Sequence, residues 1–261
     1  MTSPSSLRPV PALVSFSVDL NADLGEGFGR WELGDDEALL EVVTSANVAC
    51  GFHAGDAPTM RHVCELAADG GVTIGAQVGY RDLAGFGRRF IDYPVDQLRD
   101  ELIYQVGALR AMAAVSGGIV RYLKPHGALY HAVPHVPSIV EAALATGLPV
   151  LCAPGSVLAT ATGDSGAGVY LEGFADRAYR ADGTLLPRGK PGAVITDIDE
   201  VVARALLMAV DQRVIALDGT VLPHPVDSIC LHGDTPGAVA LARAVRTALV
   251  NAGVPLRPFL I

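Results

Sequence analysis

Apolar and polar positions alternate in several short stretches of this chain, and between them the apolar spacing widens to the three-and-four rhythm of a helix. The alternating runs are "LVSFSVDL" (13–20), "SANVAC" (45–50), "VTIGAQV" (72–78), "VRYLKPHG" (120–127), "LPVLCAPG" (148–155), "GVYLEGF" (168–174) and "DSICLHGD" (227–234). A period of two in β-branched runs marks strands, so seven are predicted. Helices are predicted over "DDEALLEVV", "APTMRHVCELAADG", "PVDQLRDELIYQVGALRAMAAV", "PSIVEAALATG", "TDIDEVVARALLMAVD" and "TPGAVALARAVRTALVNAG". Residues 180–192, "RADGTLLPRGKPG", read as a long loop, and 213–225, "RVIALDGTVLPHP", as a small hairpin inserted before the last strand. Strand–helix alternation sustained along the chain implies a parallel sheet covered by helices, an α/β fold.

The two phases within each strand decide between an open sheet and a closed barrel. Phe16, Val18 and Leu20 form one phase of the first strand, and Ser15, Ser17, Asp19 and Asn21 the other. Ala46, Val48 and Cys50 oppose Ser45, Asn47 and Ala49, while Val72, Ile74, Ala76 and Val78 oppose Thr73, Gly75 and Gln77. A sheet buried under helices on both faces reads apolar in both phases, so one polar phase favours a barrel interior. Seven strands make this a seven-stranded (β/α) barrel, an irregular relative of the eight-stranded form. No Pro/Gly/Ser-rich linker interrupts the pattern, so residues 13–261 are expected to form a single domain. Residues 1–12, "MTSPSSLRPVPA", are expected to be a flexible tail without the layout of a signal peptide.

Composition narrows the partners. A net charge of -9, from 28 acids against 19 Lys and Arg, argues against a nucleic-acid or anionic-membrane surface. No run of apolar residues is long enough to span a bilayer. Four scattered cysteines with no CxxC pair read as buried, reduced thiols, which points to the cytoplasm. The 261 residues match the roughly 250 that one α/β barrel needs.

Candidate chemistry comes from following the polar phase to the C-terminal strand ends, where α/β barrels carry their sites. That gives Asp19, Asn21 and Asp23; Asn47, then His53 and Asp56; Gln77; Lys124 and His126; Glu172, then Asp176 and Arg177; and His232 with Asp234. A lone histidine at a strand end is ordinarily a hydrogen-bonded structural residue. Polar ends in register on nearly every strand are a pocket. "GFGRRF" (85–90) adds Arg88 and Arg89 in a loop after the third strand, where Arg88 could grip a carboxylate or phosphate through forked donors. "GEGFG" has the wrong spacing for a dinucleotide fingerprint, and no GxxxxGK[ST] loop occurs.

The motifs "DLNADLGEGFG", "ANVACGFHAGD", "GFGRR", "KPHGALY", "EGFADRAY" and "LHGD", in this order from Val18 to the last helix, resemble the signatures of the lactam-utilisation (LamB/YcsF) family. The resemblance implies an irregular, TIM-like barrel of the glycoside hydrolase/deacetylase type. It also implies opening of the lactam of 5-oxoproline to L-glutamate, coupled to ATP hydrolysis, in a complex with 5-oxoprolinase subunits B and C. One departure stands out: the family often has Gly-Ala-His-Pro where this chain has Gln77 and Val78, so Gln77 is left out of the catalytic set.

An unstrained amide opens unfavourably at neutral pH, so ATP coupling is physically reasonable. The expected route phosphorylates the lactam oxygen, adds water to the activated carbon and expels phosphate as the ring opens. On this reading Asp19, Asp23 and His53 would hold Mg²⁺ or another divalent metal, or activate water. Lys124 and His126 would stabilise phosphate or oxyanion charge, Arg177 would hold the substrate carboxylate, and His232 with Asp234 would form an acid–base pair. Asn21, Asn47, Asp56, Arg88 and Glu172 complete the expected binding set. Two other readings fit the same residues: an ATP-independent metal-dependent hydrolase or deacetylase, and a non-catalytic subunit that binds the small molecule.

Overall fold

The structure, a computed structural model, describes residues 17–234 and 237–260, so the expected tail over 1–12 lies outside the described residues. Six parallel strands follow one another: β1 (Asp19–Leu24), β2 (Ser45–Ala49), β3 (Thr73–Val78), β4 (Val120–Pro125), β5 (Val150–Cys152) and β6 (Val169–Phe174). An antiparallel hairpin, β7 (Arg213–Ile215) with β8 (Val221–Pro223), precedes β9 (Ser228–His232). The closed order is β1-β2-β3-β4-β5-β6-β9, with β9 pairing both β6 and β1. Seven strands close the barrel, and the hairpin stands outside it, as the alternation implied.

Helices α1 (Asp36–Leu40), α2 (Ala57–Asp69), α3 (Val95–Val115), α4 (Val136–Thr146), α5 (Val157–Ser165), α6 (Ile198–Asp211) and α7 (Ala238–Asn251) complete the chain. The outward phase of β1, Leu20, Ala22 and Leu24, is wholly buried, as are Leu98, Leu102, Val106 and Leu109 of α3 and Val245 and Leu249 of α7. Each such leucine contributes about 1.5–3 kcal/mol by leaving water. Among the described residues no helix is long and apolar enough to cross a membrane.

Two elements differ from the sequence-based expectation. The first strand, predicted over 13–20, runs from Asp19 to Leu24, so Asp19, Asn21 and Asp23 all lie within it, while residues 13–16 of the expected strand lie outside the described residues. Helix α5 is absent from the predicted set, because "VLATATGDS" is rich in weak helix formers. It is defined by its ends: Ser156 accepts from the Ala159 amide, and Gly166 closes it at a φ of 81°.

Inside the barrel the inward phases stack in layers. At the N-terminal strand ends Tyr122 and Tyr170 pack on Phe259, each with ring centroids 4.9 Å apart. Above them lies a polar interior, and the opposite end opens into a pocket.

Candidate active site

The deepest acid is Asp19. It accepts from Thr44 at 2.5 Å, from Ser45 at 2.6 Å and from Ser228, all near the N-terminal ends of their strands. Complete burial raises its carboxyl to about 6 against the lowering by these hydroxyls.

The next layer is built around the Lys124 ammonium. Its Nζ lies 3.0 Å from Asp23 Oδ1, 3.0 Å from Glu172 Oε2, 3.3 Å from Asn21 Oδ1 and 3.2 Å from Cys230 Sγ. Register explains the meeting: Gln77 sits beside Lys124, Asn21 beside Cys230 and Asp23 beside His232. Burial opposes the Lys124 charge, but Asp23 and the neighbouring groups carry its pKa well above the usual value. Burial likewise favours a neutral Asp23, yet Lys124, His232 and His126 together hold that carboxyl well below its usual range. Burial outweighs Lys124 at Glu172, whose pKa rises. Asp23 is therefore the counter-ion, and Glu172 the carboxyl more ready to keep a proton. Asn47 aims this layer, donating to Asn21 at 2.6 Å and to Asp23 at 2.9 Å while accepting from the Tyr122 hydroxyl at 2.6 Å.

At the mouth, His232 Nδ1 lies 2.8 Å from Asp176 Oδ2, and the same carboxylate accepts from the His232 amide at 3.0 Å. Asp176 fixes the tautomer with the proton on Nδ1, leaving Nε2 free to act as a base. Burial would raise the Asp176 carboxyl, but His232 holds it low. Arg88 pairs with Asp234 at 2.6 Å, bridging the loop after β3 to the end of β9. Asp23, Lys124, His126, His232, Arg88, Arg177 and Arg188 all face one pocket of about 710 Å³.

A second constellation adjoins the first. Glu26, just past β1, lies 3.9 Å from His53 Nε2 and 3.6 Å from His126 Nδ1 through its Oε1 atom. The two imidazoles stack at 3.9 Å between centroids with planes 8° apart. Gln77 spans them, 3.3 Å from His53 Nε2 and 3.0 Å from His126 Nδ1. His126 Nε2 lies 3.0 Å from the Phe86 carbonyl, which can only accept, so the lone pair is on Nδ1. Two buried atoms here lack hydrogen-bond partners, Glu26 Oε1 and His53 Nδ1. Burial, reinforced by Asp23 and Asp234, raises Glu26 well above the usual carboxyl range. It depresses His53 well below the usual imidazole value and His126 to about 4.

The LamB/YcsF family model matches residues 18–260, which is nearly all of the chain that the structure describes. The chain belongs to this family. A LamB/YcsF relative from Streptomyces griseus, named as the A subunit of 5-oxoprolinase, is 57% identical over 248 residues, covering 93% of this chain and 99% of the relative. A protein of the same name from Mycolicibacterium gilvum is 55% identical over 249 residues, covering 93% of this chain and 99% of the relative. The lactam utilization protein of Thermus thermophilus has a solved structure that superposes with a TM-score of 0.86 at 40% identity. The match covers 93% of this chain and 99% of that one.

Within this LamB/YcsF barrel the expected residues fall into three groups. Asp23, Lys124, His126, His232, Arg88 and Arg177 line the pocket, with Asn21, Asn47 and Glu172 buried beneath them. Arg177 also holds the long loop, giving Nε to Ala193 O at 3.1 Å and Nη2 to Leu186 O at 2.7 Å. Others sit elsewhere. Asp56 caps α2 by accepting from Thr59 N at 3.0 Å and takes the Gly29 amide at 2.9 Å, so it is a structural cap and not part of the pocket. The trio Asp19, Asp23 and His53 is not brought together: Asp19 is spent on hydroxyls at the other end of β1. Among the described residues the group with metal-ligand spacing is Glu26, His53 and His126. Asp234 pairs with Arg88, and the partner of His232 is Asp176.

Sequence reasoning lists Gln77 and Asp176 among the polar strand ends without assigning either a role, and assigns none to Glu26 or Cys230. Asp176 follows the polar phase of the sixth strand, and Glu26 stands three residues past Asp23, so both are visible as polar positions. What identifies them is the fold-back at Gly25, with a φ of 67°, and a contact across 56 residues.

Proposed function

We propose that this protein is the A subunit of a 5-oxoprolinase, opening the lactam of 5-oxoproline to L-glutamate with hydrolysis of ATP to ADP and phosphate. The observation that carries the reading is the buried Lys124 ammonium beside Asp23 at the floor of a pocket rimmed by Arg88, Arg177 and Arg188. A reaction that develops negative charge on a lactam oxygen or its phosphoryl ester needs fixed positive charge in a water-poor place. Lys124 supplies it, held charged by Asp23. The His232–Asp176 pair takes a proton from the attacking water at Nε2 and returns it to the ring nitrogen as the C–N bond breaks, and a second water then hydrolyses the resulting acyl phosphate to the carboxylate and free phosphate. The guanidiniums at the rim meet the substrate carboxylate and the ATP phosphates.

ATP supplies the phosphoryl group that makes the carbonyl carbon electrophilic. The oxygen-rich Mg²⁺ set expected within the chain, Asp19 with Asp23 and His53, is not assembled, so Mg²⁺ enters this scheme with the nucleotide. Subunits B and C are the partners on this reading, and four free, buried cysteines support a cytoplasmic setting.

The test is glutamate and phosphate release from 5-oxoproline by the purified chain with MgATP, with and without B and C. Glutamate is expected only with ATP and both partners. Turnover by the isolated chain without ATP would replace this reading with that of a metal-dependent amide hydrolase. No turnover with folded, bound partners would remove 5-oxoproline as the substrate.

A further inference from the structure

The Lys124 chemistry makes no direct use of Glu26, His53 and Gln77, although they are buried within a few ångströms of the pocket. Glu26 Oε1, His53 Nε2 and His126 Nδ1 all lie within 4.8 Å of one another. Donor atoms held 2.0–2.2 Å from a shared ion at tetrahedral angles are about 3.3–3.6 Å apart. The separations here are 3.6 Å for Glu26 with His126 and 3.9 Å for Glu26 with His53, and the Gln77 amide oxygen, 3.3 Å from His53 Nε2, accepts the proton that an ion bound at that nitrogen would displace.

We propose that Glu26, His53 and His126 bind one divalent transition-metal ion of the Zn²⁺ class at the edge of the pocket, with Gln77 positioning the two rings. Three independent features support it. Glu26 Oε1 is buried with no hydrogen-bond partner, which a purely structural network would not leave so. The Phe86 carbonyl fixes the His126 tautomer with its lone pair on Nδ1, which accepts from the Gln77 amide at 3.0 Å and lies 3.6 Å from Glu26 Oε1, and a carbonyl behind a metal-bound histidine imposes the same tautomer. Two imidazoles and one carboxylate suit Zn²⁺, Co²⁺ or Fe²⁺, whereas Mg²⁺ and Ca²⁺ prefer oxygen donors. His126 also lines the pocket, so an ion here would face the bound substrate.

The substrate reading is not needed for this site, and its test uses neither 5-oxoproline nor ATP. The full chain, treated with chelator and dialysed, is titrated with Co²⁺ and with Zn²⁺, and bound metal is read by elemental analysis and by the visible Co²⁺ spectrum. About one ion per chain is expected, with affinity falling ~100-fold or more in His53→Ala, His126→Ala and Glu26→Gln. Asp19→Asn is expected to bind as the parent does. Failure of the folded parent to take up either ion, or uptake unchanged in the histidine variants, would overturn the site. Should those variants not fold, Co²⁺ broadening of histidine ring resonances in the parent decides: the signals of His53 and His126 must be the ones lost.

Discussion

Asp19 shows how a single residue can be essential to the architecture and still lie outside the chemistry. Its carboxyl is pushed up to about 6 by burial, above the 3.8 of an exposed aspartate. A raised carboxyl pKa means that the folded state binds the proton more tightly. The associated stability is fully present below the unfolded pKa and is lost as pH rises through the folded one. Replacing Asp19 with Asn removes that dependence. Urea unfolding at about pH 4 and about pH 7 should therefore show the parent losing up to about 3 kcal/mol relative to Asp19→Asn between the two. A difference that does not change with pH would show that Asp19 is not titrating as described. Residue identity alone could not separate Asp19 from Asp23, since both share the inward phase of one strand. Depth separates them, because one meets Ser and Thr hydroxyls and the other meets Lys124. The pairings Asp176 with His232 and Arg88 with Asp234 were equally out of reach, being contacts between loops far apart in sequence.

At the scale of strands and helices, the alternation was the strongest signal. Six of the seven barrel strands and the inserted hairpin lie where the alternation placed them, and β1 is displaced, running from Asp19 to Leu24 where 13–20 was expected. What escaped was α5, whose weak composition hides a helix defined by its capping residues. The inward phase also explains Gly75, which faces Tyr122 across the β3–β4 pair. A β-carbon at Gly75 would fall within the Tyr122 ring. Gly75→Ala should displace that ring, cost about 1–3 kcal/mol in denaturant unfolding, and lower turnover by releasing Asn47 from the Tyr122 hydroxyl. Parent-like stability would mean that the interior has room that the structure does not show.

Across the whole molecule, one end of the barrel is plugged by aromatic rings and the other opens into the pocket, with a ladder of buried polar groups between them. Such a ladder is expensive unless every charge is matched, and Lys124 between Asp23 and Glu172 is the match that lets it exist. In the proposed reaction the lactam is opened above this ammonium. The most direct measurement is the rate of ATP-dependent glutamate formation by the assembled complex carrying Lys124→Met, with folding checked by circular dichroism and Asp56→Ala as a control away from the pocket. In Lys124→Met kcat is expected to fall by on the order of 10²–10³-fold or more, and in Asp56→Ala to stay near the parent value. Near-parent turnover in a folded Lys124→Met complex would contradict this and move the reacting centre out of this barrel.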